Sequence, residues 1–151
     1  MIKNLFNKID KSNESHIEEK DSNIVYVIAL LIEASSIDGQ IHEKELLKIK
    51  EMVSNYFSVD DKATENYFQE AKDKLEDSSS FYNLTSKIHN NYNYKEKLEI
   101  LEMLWNVVLI DKIEHEFETS LMRRLGGLLH VKDIDNGIIR KKVIKKMDMK
   151  I

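Results

Sequence analysis

The stretch Leu101-Glu-Met-Leu-Trp-Asn-Val-Val-Leu-Ile-Asp-Lys-Ile-Glu-His-Glu-Phe-Glu118 decides the fold of this chain. It runs from an apolar segment through a short polar loop into an amphipathic segment. The earlier residues 28–45 have the same design, and Asp38-Gly-Gln-Ile-His-Glu-Lys-Glu45 aligns without a gap with residues 111–118. A helix-loop-helix unit that occurs twice predicts a pseudo-symmetric helical domain in which the two loops lie near each other.

The composition favours helices and excludes several kinds of site. Proline is absent and glycine occurs only four times, so the residues that punctuate β-rich folds are scarce. Cysteine is also absent, which excludes disulfides, thiolate zinc sites and cysteine nucleophiles. A chain of 151 residues with 42% hydrophobic residues can bury the core of one ordinary domain. We therefore predict a single all-α domain of about seven to eight helices with two pseudo-symmetric helix-loop-helix repeats.

The chain divides into a short N-terminal part and one helical domain. Residues 1–22 predict an amphipathic helix, with apolar residues at helical spacing over residues 2–9, followed by a polar linker. Residues 23–151 are predicted to form the helical domain. The longest apolar run, residues 24–32, is too short to span a bilayer, and the N-terminus has no signal-peptide pattern. We therefore expect a cytoplasmic protein without an integral membrane segment.

The apolar segments of the two repeats predict the centre of the core. Asn93 followed by Glu96 predicts a capping box at the start of the second apolar helix. Two glycines, residues 126–127, lie within a later apolar stripe. Each glycine destabilises a helix by about 1 kcal/mol relative to alanine. We therefore expect a close helix crossing there, which the small residues would permit. The core residues predicted from the repeats are Ile28, Leu31, Leu101, Leu104 and Trp105.

The charge of the chain argues against a nucleic-acid partner. The net charge is −4 and the isoelectric point is near 5.8, whereas a general nucleic-acid binder needs a basic face to neutralise phosphates. Such a face is not evident, but basic residues crowd the C-terminus at Arg140, Lys141, Lys142, Lys145, Lys146 and Lys150. This run is either the solvated face of a last helix or a surface that attracts an anionic membrane or an acidic partner.

Six polar residues occupy equivalent places in the two loops: Asp38, His42, Glu45, Asp111, His115 and Glu118. In a structural interpretation, the histidines are N-caps, the glutamates are the third residues of capping boxes, and the aspartates bond to loop amides. In a functional interpretation, all six converge on a divalent cation, with oxygen ligands that suit calcium, magnesium or manganese and imidazoles that admit zinc, nickel or iron. A third interpretation is a polar docking surface. Histidine is not a preferred cap, so capping alone does not explain its presence in both loops.

No motif in the sequence indicates catalysis. The nucleophile-elbow, phosphate-binding glycine-loop and zincin patterns are all missing. We therefore expect a non-enzymatic protein. The alternative that remains open is a metal-dependent enzyme or metal sensor that uses the twin loops.

The order of an apolar helix, Asp-Gly-x-x-His-x-x-Glu and an amphipathic helix resembles the TerB-like family. This family is named for the tellurite resistance protein TerB and also occurs as a domain of a DnaJ-like co-chaperone. The resemblance covers roughly residues 23–146. It is most specific over residues 101–111, 115–125 and 128–133, which are similar to the single-domain branch of the family.

This resemblance implies an all-α stress-response or scaffold module associated with resistance to tellurite. It also implies a protein partner beside a membrane, and hence a cytoplasmic position that is peripheral at the inner membrane face. The acidic metal-binding cluster of the family would fall on Asp38, Glu45, Asp111 and Glu118. The two histidines lie beside these residues in the sequence. The chain departs from the pattern at Gly127, where a helix-favouring residue is usual, and at Lys112, where the pattern has glycine. The lysine argues against a tight second loop and a symmetric cation site.

Overall fold

The computed structural model describes residues 22–36, 42–77 and 80–149. All regular secondary structure within these ranges is helical, which confirms the predicted fold class and helix number. The predicted N-terminal helix and Asp38 lie outside the described residues. The seven described helices are α1 (22–35), α2 (Glu43–Phe57), α3 (Asp61–Asp77), α4 (Phe81–Asn91), α5 (Tyr94–Val108), α6 (Glu116–Leu128) and α7 (Asp133–Lys146).

The apolar helices α1 and α5 form the centre of the core. Ile28 and Leu31 in α1 are fully buried, as are Leu101 and Leu104 in α5, and Trp105 is 2% exposed. These core predictions are confirmed. Helix α5 packs against α7, α6 and α2. Burying one large aliphatic side chain stabilises a fold by about 1.5–3 kcal/mol, so the two helices supply much of the stability. No helix in the described ranges combines the length and apolar character needed to cross a membrane.

A capping box starts α5. The Asn93 side chain accepts the backbone N–H of Glu96 at 2.9 Å, and the Glu96 carboxylate accepts the backbone N–H of Asn93 at 2.9 Å. Both N–H groups belong to the helix start, where no carbonyl of the helix can accept them. The start of α5 predicted from the sequence is confirmed.

The second helix of each repeat begins in the same way. His42 precedes α2 with φ −84° and ψ 153°, and His115 precedes α6 with φ −91° and ψ 149°. The His42 carbonyl accepts the N–H of Leu46 at 3.0 Å, and the His115 carbonyl accepts the N–H of Thr119 at 3.2 Å. Both histidines are therefore N-cap residues, as predicted, and the matching geometry supports the repeat.

Helices α6 and α7 approach each other closely at one glycine. Gly126 is buried against Asn136, whose side-chain amide donates to the Met122 carbonyl at 3.1 Å. Asn136 Oδ1 accepts the indole N–H of Trp105 at 2.8 Å. The predicted close crossing is confirmed at Gly126. It is wrong for Gly127, because a Cβ atom there would meet no packing atom of the described residues within 4 Å.

Helix ends in this glycine-poor chain place other residues in the left-handed conformation. At the end of α6, the His130 N–H donates to the Gly127 carbonyl at 3.0 Å and the Val131 N–H donates to the Gly126 carbonyl at 2.8 Å, which is a Schellman motif. Residues with a side chain are disfavoured in this conformation by about 1–2 kcal/mol. The non-glycine residues that adopt it within the described ranges are Ser58 (φ 55°), Lys112 (φ 63°), His130 (φ 60°) and Asp148 (φ 59°).

Candidate functional site

The second repeat loop, residues 109–115, makes a tight turn. The Lys112 N–H donates to the Leu109 carbonyl at 2.8 Å, and the Ile110 N–H donates to the Val107 carbonyl at 3.3 Å. Lys112 has a φ of 63°, a value at which glycine is free of strain. The expectation of a looser second loop is therefore wrong, because the lysine adopts the left-handed conformation that the turn requires.

The structure brings together two of the predicted site residues, Asp111 and His115. Asp111 Oδ1 accepts the backbone N–H of Ile113 at 3.0 Å, and Asp111 Oδ2 lies 3.4 Å from His115 Nε2. The Asp111 side chain is 51% exposed and the His115 side chain is 43% exposed. The predicted bond from the aspartate to a loop amide is confirmed. This bond holds the other carboxylate oxygen beside the imidazole.

Glu118 anchors the start of α6. It is the third residue of the helix, and its carboxylate accepts the backbone N–H of His115 at 3.1 Å. The residue is only 8% exposed. A carboxylate at a helix N-terminus is also favoured by the helix dipole. The position predicted for Glu118 is confirmed, and its carboxylate fixes the backbone from which the His115 imidazole extends.

The first repeat contributes fewer described residues to the candidate site. Asp38 lies outside them, His42 is exposed, and Glu45 is half-buried as the third residue of α2. Within residues 22–36, 42–77 and 80–149, no three histidine, aspartate or glutamate side chains are grouped so that they could hold a metal ion. The described part of the chain therefore contains the pair of Asp111 and His115, without further acidic or histidine ligands around it.

Glu114 is the residue of the second loop that sequence reasoning missed. Its carboxylate accepts hydrogen bonds from Arg140 Nε at 2.7 Å, from Arg140 Nη2 and from the Thr119 hydroxyl at 2.8 Å. The bonds from Arg140 lower the pKa of Glu114, although burial opposes them. The ion pair ties the second loop to α7. Its signal in the sequence is the repeat alignment, which places Glu114 opposite the apolar Ile41.

Exposed apolar residues border the pair of Asp111 and His115. Ile113 is 55% exposed and Phe117 is 48% exposed. The Phe117 ring stacks on the His115 imidazole, with 5.6 Å between the ring centroids. Single exposed apolar residues are common on protein surfaces, and these two place apolar surface directly beside the polar pair.

A second polar cluster, also missed from the sequence, joins α4 and α5 to the loop after α6. Lys97 is only 5% exposed, and its Nζ atom lies 2.8 Å from His89 Nδ1. The His89 ring stacks on the His130 ring, with 3.9 Å between the ring centroids. Burial lowers the pKa of Lys97. Burial, followed by Lys97 and His130, lowers the pKa of His89, against a hydrogen bond with the Leu129 backbone. A charged ammonium can only donate, so His89 Nδ1 is an acceptor here.

The model of one protein family matches most of the chain. The family is described as tellurite resistance protein TerB, and the match covers residues 25–141. It runs from α1 into α7 and so includes both repeats. No curated protein and no solved structure matches the chain. The resemblance to the TerB-like family noted in the sequence is confirmed by the family match.

Proposed function

This chain belongs to the family of the tellurite resistance protein TerB, and we propose that it is a non-enzymatic stress-response module that binds a divalent cation through the second repeat loop. In this proposal the loop also contacts a protein partner. The observation that carries the proposal is the exposed pair of Asp111 and His115, in which a carboxylate oxygen and an imidazole nitrogen lie 3.4 Å apart.

The chemistry of this pair fits a cation. Two oxygen or nitrogen ligands at about 2.1 Å from a tetrahedral zinc ion lie about 3.4 Å apart, close to the separation of Asp111 Oδ2 and His115 Nε2. Calcium, magnesium or manganese would draw more on the carboxylate and on water. Two ligands do not complete a site, and His42 and Glu45 are not grouped with this pair in the described part of the chain. We therefore assign the remaining positions to water and, of the predicted first-repeat residues, to Asp38.

Glu118 has a different role in this proposal from the one expected of it as a ligand. Its carboxylate is buried at the start of α6 and accepts the His115 backbone N–H. We therefore treat it as a positioning residue for His115. Hydrogen bonds that orient a metal ligand typically change metal affinity by about 10–100-fold when they are removed.

The partner surface in this proposal consists of Ile113 and Phe117, which are exposed on either side of His115 in the sequence. A partner that covers them would also shield the cation from water. In keeping with the family, the partner is a protein associated with a membrane. The chain would then act in the cytoplasm, peripheral to the inner membrane face.

Calorimetric titration with calcium, magnesium, manganese and zinc tests the cation proposal. The unmodified protein should bind at least one of them, and Asp111→Asn and His115→Gln should each weaken that binding more than tenfold. The asparagine side chain in Asp111→Asn would keep an oxygen acceptor for the Ile113 amide, so the loop should stay folded. Glu116→Gln is the matched control, because Glu116 is an exposed acidic residue next to His115 that lies outside the proposed ligand set.

Thermal unfolding gives a second readout of the same proposal. A bound cation at a hundredfold excess over its Kd should stabilise the fold by about 2.7 kcal/mol, and chelator should remove this gain. Binding should weaken on acidification, because protons compete with the metal for imidazole and carboxylate. Absence of heat with all four cations, together with melting that neither cation nor chelator changes, would leave the six residues with a structural role only.

A further inference from the structure

A groove lies between α2, the C-terminal end of α5 and the C-terminal end of α7. Its volume is about 480 Å³, and its apolar lining comes from Ile49, Met52, Val107, Ile110 and Met147. Small-molecule pockets typically have volumes of about 300–1,000 Å³ and mostly apolar walls. The two methionines add flexible side chains that adjust to the shape of a ligand. The groove therefore has the size and the lining of a site for a small apolar group.

Three lysines stand on the rim of this groove: Lys48, Lys112 and Lys146. All three are exposed, and none of them forms an ion pair with another of the described residues. Glu51 is the one acidic residue among the described residues of the lining, so these residues carry three positive charges and one negative charge, a net charge of +2. The whole chain has a net charge of −4. Positive charge is thus concentrated around an apolar groove on an acidic protein.

Lys112 reaches the rim from a strained backbone position. Its φ of 63° favours glycine, and the aligned residue of the first repeat is Gly39. A residue held in an unfavourable backbone conformation is a reason to look for a function of its side chain. The turn itself needs no lysine, because its hydrogen bond from residue 112 to Leu109 uses only backbone atoms. The contribution specific to Lys112 is its charge at the groove.

We propose that this lysine-rimmed groove binds a small amphipathic carboxylate, that is, a free fatty-acid-like molecule with its alkyl chain on the apolar lining and its carboxylate among the lysines. Charge complementarity selects an anionic head group, and the concave apolar lining selects an alkyl chain. Lys48, Lys112 and Lys146 would hold the head group through exposed ion pairs. The groove shares the second repeat loop with the proposed cation site, but Asp111 and His115 do not line it, and the proposal does not depend on cation binding.

Calorimetric titration with dodecanoate, in the presence of chelator, tests the proposal without any contribution from divalent cations. Dodecanoate should bind, whereas dodecanol and dodecyltrimethylammonium should bind much more weakly because they lack the anionic head. Each methylene removed from the chain should weaken binding about fourfold if it is buried. Lys48→Gln and Lys146→Gln should each weaken binding about two- to fivefold, the range of an exposed ion pair. Lys72→Gln on α3 is the matched control and should change nothing, because Lys72 is exposed and does not line the groove.

Lys112→Gly separates the role of the charge from that of the backbone. The glycine should raise the melting temperature, since it relieves the left-handed strain, and should at the same time weaken dodecanoate binding about two- to fivefold. Lys112→Arg should keep both the binding and the strain. The proposal is overturned if dodecanol binds as tightly as dodecanoate, or if Lys112→Gly binds dodecanoate normally. It is also overturned if the protein does not bind dodecanoate but binds anionic phospholipid vesicles through the same lysines. The lysine-rimmed surface would then be a membrane contact.

Discussion

Gly126 on α6 lies so close to Asn136 on α7 that a Cβ atom on the glycine would stand 2.6 Å from the Asn136 amide nitrogen. The amide cannot move away freely, because it donates to the Met122 carbonyl while its oxygen accepts the indole N–H of Trp105. The side chain is also buried, with 6% exposure. The crossing of the two helices therefore depends on the absence of a side chain at this one position.

The two neighbouring glycines should respond in opposite ways to the same substitution. Gly126→Ala should destabilise the fold by up to about 2 kcal/mol, because overpacking costs about 1–3 kcal/mol and the gain in helix propensity offsets only about 1 kcal/mol of it. Gly127→Ala should stabilise it by about 1 kcal/mol, since its Cβ atom meets open space. Urea unfolding of both variants measures the difference. Equal effects at the two positions would contradict the close crossing at Gly126.

The ion pair between Glu114 and Arg140 predicts an acid-sensitive contribution to stability. The pKa of Glu114 in the folded protein is lower than the ordinary 4.5, chiefly because of its hydrogen bonds with Arg140. The stabilisation is therefore complete above the ordinary value and is lost as the pH falls through the lower folded value. Glu114→Gln should lose about 1–3 kcal/mol at neutral pH and should show a flatter decline in acid. Unfolding free energies at a series of pH values from neutral to acid measure both effects.

The exposed pair of Lys142 and Glu102 provides the control for that prediction. The Lys142 side chain is 63% exposed and donates to Glu102 at 3.0 Å. Lys142→Gln should lose less than about 1 kcal/mol, because solvent screens an exposed pair. If Lys142→Gln destabilises the fold as much as Glu114→Gln does, the anchoring role of Glu114 is wrong.

The helix end at Asp148 should gain stability from glycine. Asp148 has a φ of 59° and is exposed, so Asp148→Gly should stabilise the fold by about 1 kcal/mol and raise the melting temperature by about 2–4 °C. Asp148→Ala should give no such gain, because alanine retains the left-handed strain. His130→Gly should also gain less, since it removes the ring that stacks on His89. A gain at His130 as large as that at Asp148 would show that the stacking contributes nothing.

The lowered pKa of His89 predicts a second pH effect, in a different range. Because the folded protein disfavours the charged imidazole, the unfolded chain takes up a proton first as the pH falls below the ordinary histidine value of 6.5. Stability should therefore decline on acidification from that value through the lower folded pKa of His89. His89→Gln should reduce this decline, and His42→Gln controls for the removal of an exposed histidine elsewhere. Unfolding free energies in mildly acidic buffers test this, and an unchanged slope in His89→Gln would contradict it.

The helices could be predicted because their signals lie within a few residues of one another. The apolar residues of α1 mark a helix surrounded by others, and Ile28 and Leu31 are fully buried as that pattern requires. Asn93 and Glu96 are three residues apart, so the capping box is readable from sequence spacing alone. The glycine pair predicted a close helix crossing but not its exact position, because the sequence does not show which of the two glycines faces α7.

The candidate site could be predicted in part for the same reason. Asp111 and His115 are four residues apart and meet within one loop, and His115 and Glu118 meet across the first turn of α6. These contacts follow from local geometry. The role of Glu114 could not be predicted in this way, because its partner Arg140 lies 26 residues away in the sequence, on another helix.

The sequence by itself determined the all-α class, the repeat, the helix starts and the local contacts of Asp111, His115 and Glu118, since each of these depends on neighbours within one or two helical turns. Only the tertiary structure decided which helix faces meet. The bond between Trp105 and Asn136 spans 31 residues, and the lysine-rimmed groove draws its walls from three helices. A local pattern specifies that a face is apolar, but the partner of that face is set by how the helices cross. That crossing depends on the side-chain volumes of both helices at once.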